Sequence, residues 1–187
     1  MTLVNICTKI ICGQISKVEM ESDKNRNGKR RGEIVFKTIA LQGRGNSGKT
    51  KTLSVLISMI NIDEPPDIKS VNESEKWVVG KSEGIKVAIT TQGDCGEQLK
   101  KWIEYIDSIT DEVDIYICPC RTRGSSFDFV YNHFKPQNVI FNGKWYVEKY
   151  GAEKNAEIEA LQESANRIQA EALMKIIFDF KQESEEK

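Results

Sequence analysis

The sequence predicts an α/β protein: a three-layer sandwich whose mostly parallel sheet carries one antiparallel hairpin strand and is covered by helices on both faces. Three observations carry this reading. Short runs of β-branched and aliphatic residues alternate with segments whose apolar residues recur every three or four positions. One strand-to-helix step passes through a glycine-rich loop, Gly43 to Thr50. Two further strand runs, 76–79 and 85–91, are separated by Gly80-Lys81-Ser82-Glu83-Gly84, the composition of a hairpin loop. At 187 residues the chain holds one such domain plus appendages.

Residues 1–32 read as an N-terminal arm and polar linker. Val4, Cys7, Ile11, Ile15 and Val18 keep helical spacing, although Gly13 weakens a helix there. Residues 21–32 then contain no apolar side chain and read as a solvated linker. Its cluster Lys29-Arg30-Arg31 is either a contact for nucleic acid or phosphate, or an ordinary exposed charged loop.

Residues 33–150 form the core. Lys37-Thr38-Ile39-Ala40-Leu41-Gln42 is a short buried strand, and Leu53, Leu56, Ile57 and Ile60 mark one face of the helix after it. Asp63-Glu64-Pro65-Pro66 breaks the pattern before the hairpin. Leu99, Trp102, Ile103 and Ile106 mark a second helix, residues 113–118 another buried strand, and residues 121–126 a polar turn. Phe127, Val130 and Phe134 outline a short helix, and residues 138–141 a last strand. Residues 151–187 form a long helix with the stripe Ile158, Leu161, Ala165, Ile168, Ala172, Ile176 and Phe180. Packing onto its own core is the default for that stripe; a seam against a partner or a second copy is the alternative.

Gly43-Arg44-Gly45-Asn46-Ser47-Gly48-Lys49-Thr50 fits G-x-x-x-x-G-K-[ST]. Glycines let backbone N–H groups close around phosphate oxygens, a lysine reaches the outer phosphates, and a hydroxyl takes a place on Mg²⁺. Lys51 extends the basic edge of the loop. The strand before and the helix after suit this chemistry, because a helix start presents partial positive charge to an anion. On this motif and its flanks, residues 33–145 resemble the P-loop NTPase superfamily. The resemblance implies a bound nucleoside triphosphate with Mg²⁺. Guanine specificity is unsupported, because the guanine-reading Asn-Lys-x-Asp is missing: Asn142-Gly143-Lys144-Trp145 has an inserted glycine and no aspartate. ATP is mildly favoured over GTP on abundance alone.

Magnesium chemistry needs a carboxylate at a neighbouring strand end, and Asp94 supplies one after Val87-Ala88-Ile89-Thr90-Thr91-Gln92-Gly93. Asp94 is read as metal-linked, with capping of the next helix as the alternative. A hairpin leading into that carboxylate resembles the GTPase-like half of the superfamily, which implies that the Asp94 strand lies directly beside the P-loop strand. By the same resemblance Gln98 is a candidate to position water and Glu97 a candidate general base, or both are first-turn residues on a solvated helix face. Arg121 and Arg123 follow a buried strand and should emerge at the ligand edge of the sheet. There they neutralise charge on a transferred phosphoryl group, hold an acceptor, or form surface ion pairs.

A formal net charge of -1 supplies no general pull toward nucleic acid or anionic lipid, and no apolar run reaches the length of a membrane span. With no signal-peptide pattern at the start, the expectation is a cytoplasmic, soluble protein. Cys7, Cys12, Cys95, Cys118 and Cys120 read as reduced thiols rather than a disulfide framework or zinc site.

Three functions compete. The first is a Mg²⁺-dependent ATPase acting as a switch or energy-coupling component, with a partner or second copy reached through the N-terminal arm or the C-terminal helix. The second is a small phosphotransferase of the nucleoside or polynucleotide kinase kind. In the third, a non-catalytic interaction module, the nucleotide only stabilises the fold.

Overall fold

The computed structural model describes residues 37–60, 67–72, 74–110, 112–147 and 156–185, with side chains within those spans from residue 38 to residue 180. The expected N-terminal arm, the linker with Lys29-Arg30-Arg31, and the break at 61–66 lie outside the described residues.

The elements run β1 (Lys37–Gln42), α1 (Lys49–Met59), β2 (Asp67–Ser70), β3 (Lys76–Ser82), β4 (Ile85–Thr90), α2 (Gly96–Ile109), β5 (Ile115–Cys120), α3 (Ser125–His133), a 3₁₀ turn (Pro136–Asn138), β6 (Val139–Gly143) and α4 (Ala156–Glu185). They build one six-stranded sheet in the order β2-β3-β4-β5-β1-β6. Strands β4, β5, β1 and β6 run parallel, and β3 is antiparallel to both β2 and β4.

Period-two alternation assigns the two faces. Ile39 and Leu41 of β1, Ile85, Val87 and Ile89 of β4, and Ile115 and Ile117 of β5 pack with Leu53 and Leu56 of α1 and with Ala170, Leu173 and Ile177 of α4. Their neighbours Ala40, Ala88, Cys118 and Cys120 turn to the opposite layer, against Leu99, Trp102, Ile103 and Ile106 of α2 and Val130 of α3. Each fully buried leucine or isoleucine contributes roughly 1.5–3 kcal/mol. The sheet is therefore covered on both faces, as an α/β sandwich requires.

Four details differ from the sequence reading. The hairpin is tighter: only Glu83 and Gly84 turn, at φ 50° and 83°, while Gly80, Lys81 and Ser82 belong to β3. Positive φ at both residues matches the strand twist that two-residue turns favour. Strand β2 was not legible, because all four of its residues are exposed on the sheet edge and show no apolar pattern.

The strand ending toward Asp94 does not lie beside β1. β5 intervenes and pairs with β1 along its whole length, from Lys37↔Ile115 to Gln42↔Cys120. β4 and β5 are buried equally along their lengths, so strand burial alone does not set which of them lies next to β1. The adjacency implied by the GTPase-like resemblance is corrected accordingly.

The inward face of α4 is also different. Asn166, Gln169, Ala170, Leu173 and Ile177 are buried, whereas Leu161 and Ile168 of the expected stripe are 57% and 52% exposed. Polar partners draw this face in. Asn166 Oδ1 accepts from Thr52 Oγ1 at 3.0 Å, and Gln169 Nε2 donates to Asn142 Oδ1 at 2.8 Å and to Gly143 O at 2.7 Å.

Candidate functional site

β1 delivers the chain to the sheet edge, and the loop from Gly43 to Gly48 turns it back into α1. Two residues of that loop hold positive φ, Asn46 at 57° and Gly48 at 89°. Gly48 precedes the first turn of α1 in the left-handed region, where a β-carbon is disfavoured. Ser47 Oγ donates to Arg44 O at 2.9 Å and closes the loop on itself. No side chain caps α1, and its first turn holds no acidic residue. Its leading N–H groups are thus not taken up by the usual side-chain cap.

Lys49 is the most buried cation of the loop, 6% exposed. Its Nζ folds back to donate to Arg44 O at 2.8 Å and Gly43 O at 3.2 Å. Burial lowers its pKa; Asp94 opposes that and Arg121 adds to it. An ammonium held by two neutral carbonyls in a desolvated place gains strongly from an arriving anion.

The facing wall comes from the ends of β4 and β5. Thr50 Oγ1 donates to Thr91 O at 3.2 Å, tying the start of α1 to the end of β4. Arg121 Nε meets Asp94 Oδ1 at 3.2 Å. The Arg121 guanidinium also lies over the loop: a Cβ on Gly45 would stand 2.8 Å from Nη1. With Asp94 61% and Arg121 42% exposed, this ion pair contributes only about 0–1 kcal/mol and is readily exchanged for a phosphate. Between the walls lies a cleft of about 230 Å³, lined by residues 46–51, Glu75, Thr91, Gly93, Asp94 and Pro119.

The other flank of the loop is held by β6 and α4. Lys144 N donates to Gln42 O at 2.7 Å, and the Lys144 stem crosses the loop close to Gly43 and Gly48. Its Nζ donates to Trp145 O. Burial, with Lys49 nearby, pushes the Lys144 ammonium down to about 8. Asn166 reaches from α4 to the Gly48 corner, where a Cβ would stand 3.0 Å from its Oδ1.

The structure therefore gathers Asn46, Ser47, Gly48, Lys49, Thr50, Lys51 and Asp94 in one cleft, with Arg121 across the loop. Arg44 is exposed. Several other candidates fall elsewhere. Gln98 is committed to the start of α2, where its Oε1 accepts from Asp94 N at 3.0 Å and Cys95 N at 3.2 Å. Glu97 pairs with Lys101 at 2.8 Å and lines a wide groove between α2 and α3. That hydrogen bond lowers its carboxyl pKa. Neither is among the residues lining the cleft: Gln98 Oε1 is taken by amides at the start of α2 and Glu97 by Lys101. Arg123 is exposed and is not among the residues lining the cleft.

Burial raises the Cys118 thiol well above its ordinary value and pushes Cys120 up to about 12. Both are neutral packing residues, as their place in the α2/α3 layer requires. Among the described residues no group of three or more His, Cys, Asp or Glu side chains gathers to hold a metal ion. Mg²⁺ asks less of a protein, since it takes oxygen ligands and keeps several waters and phosphate oxygens. A hydroxyl at Thr50 and a carboxylate at Asp94 on the same cleft fit that donor set.

Two site residues escaped the sequence reading. Glu75 sits in a polar run, Asn72-Glu73-Ser74-Glu75, that looks like any loop. Lys144 was visible only within a failed guanine motif. No helix among the described residues is long and apolar enough to cross a membrane. No protein-family model, curated protein or solved structure matches the chain.

Proposed function

We propose that the chain binds a nucleoside triphosphate with Mg²⁺ in the loop from Gly43 to Lys51 and hydrolyses it, as a P-loop ATPase serving as a switch or energy-coupling component. The observation that carries this reading is one cleft holding an uncapped helix start, the folded-back Lys49, Thr50 and Asp94. Phosphate oxygens take the α1 amides, and Lys49 leaves the Gly43 and Arg44 carbonyls to reach the outer phosphates. Thr50 and Asp94 hold Mg²⁺, whose chemistry is to neutralise the charge that develops on the phosphate oxygens. Arg121 gives up a weak ion pair and adds a second positive group at the terminal phosphate. A switch output follows the Thr52–Asn166 bond from α1 into α4, whose exposed Leu161 and Ile168 offer a partner contact.

Arg121 lies over the loop and against Asp94 while Arg123 is exposed; hydrolysis uses one arginine beside the cleft, whereas the phosphotransferase reading uses two. The direct test is release of free phosphate from MgATP by purified protein and by Lys49→Ala. Hydrolysis predicts release that disappears in the variant. Equal release by both proteins marks a contaminant and counts against this function, and a nucleotide-dependent melting shift with no turnover supports the non-catalytic module.

A further inference from the structure

We propose that Glu75 is the general base of this site, its free carboxylate oxygen taking a proton from the water that attacks the terminal phosphorus. The inference rests on the hydrolase reading above and deepens it. Glu75 comes from the turn before β3, and because β3 runs antiparallel to β4, that turn lies beside the end of β4 and the cleft. Two ties fix the junction: Lys76 N donates to Thr91 Oγ1 at 2.9 Å, and Thr91 N donates to Lys76 O at 3.0 Å.

The carboxylate itself is held on one side. Oε2 accepts from Asn72 Nδ2 at 2.6 Å and from Gln92 Nε2 at 2.8 Å. Neither donor is loose. Asn72 Oδ1 is anchored by Ser74 N at 3.0 Å and Glu75 N at 2.9 Å, and Gln92 is 9% exposed at the end of β4. Among the described residues both hydrogen bonds to the carboxylate fall on Oε2, which leaves Oε1 for another donor. A carboxylate on the cleft wall with one oxygen locked and the other not taken by a protein donor is suited to accept a proton there.

The step balances within the site. Water oxygen bonds to the γ-phosphorus while the bond from that phosphorus to the β,γ-bridging oxygen breaks, and the bridging oxygen leaves with the electron pair as part of the diphosphate. One water proton passes to Glu75 Oε1, and the other stays on the released phosphate. Glu75 later returns its proton to solvent or to phosphate.

Glu75→Gln tests this, because glutamine keeps an oxygen for Asn72 and Gln92 but removes the base. Turnover of MgATP should fall at least about 100-fold, with affinity by calorimetry changed less than about twofold and melting unchanged. Gln92→Met should lower kcat about tenfold while leaving binding intact, the mark of a positioning residue. Wild-type turnover in Glu75→Gln, with Lys49→Ala inactive, overturns the proposal and leaves the hydrolase reading standing. Parallel loss of binding and turnover makes Glu75 a ligand of the metal or phosphates and also overturns it. A wild-type protein that binds MgATP but releases no phosphate overturns both, and one that binds no nucleotide removes the reading beneath them.

Discussion

Two helices begin at the same edge of the sheet and finish their first turns in opposite ways. α2 is closed by its own sequence. Cys95 and Gln98 form a reciprocal capping box, and Glu97 in the first turn is paired with Lys101. α1 starts at a left-handed Gly48 with no side-chain cap and no acid, and carries Lys49 and Lys51 instead. Every helix start leaves N–H groups without intrahelical partners, and a side-chain cap is the cheapest way to satisfy them. α1 omits that cap and carries cations instead, the electrostatics that favour an anion. The difference teaches that Gln98 and Glu97, promising by position in the sequence, are spent on stability, while α1 keeps its end available.

That contrast is broken most severely at Lys49. Lys49→Ala removes the one buried ammonium of the loop, and affinity for MgATP should fall by about 10- to 100-fold, the worth of hydrogen bonds to a charged group; calorimetry reads this directly. Asp94→Asn should weaken binding about tenfold with Mg²⁺ present and leave metal-free binding unchanged. An equal loss with and without metal would leave Asp94 no more than the ion-pair partner of Arg121. Gly48→Ala forces a β-carbon into left-handed backbone against Asn166, at roughly 1–2 kcal/mol, and should lower Tm by a few degrees.

The closed helix end supplies the contrasting control. Gln98→Ala removes acceptor bonds from two backbone amides and should cost about 0.5–1 kcal/mol in chemical denaturation, with nucleotide affinity unaltered. The smallest effect concerns Lys144. Its pKa is lowered from 10.5 to about 8, so between those values the unfolded chain binds more protons than the folded one. Stability should therefore rise with pH across that window, with the penalty of the buried charge fully present below pH 8. Lys144→Met should flatten the slope and raise Tm slightly at neutral pH.

What the sequence disclosed was short-range. β1, the glycine loop and α1 follow one another directly, so local pattern sufficed to place them. β4 and β5 are equally buried on both faces, so periodicity and burial leave the order β4-β5-β1 open. The face of α4 was misjudged because Asn166 and Gln169 look like surface residues until Thr52, Asn142 and Gly143 are brought opposite them. Glu75 was hidden for the same reason: its partner Gln92 lies seventeen positions away and reaches it only through the antiparallel pairing of β3 with β4.

Titration calorimetry of the purified chain with ATP and with GTP, each with and without Mg²⁺, addresses the loop most directly. A saturable heat that strengthens with Mg²⁺, with affinity about 10- to 100-fold weaker in Lys49→Ala, is the predicted result. No heat from either nucleotide at millimolar concentration with Mg²⁺ present would contradict it.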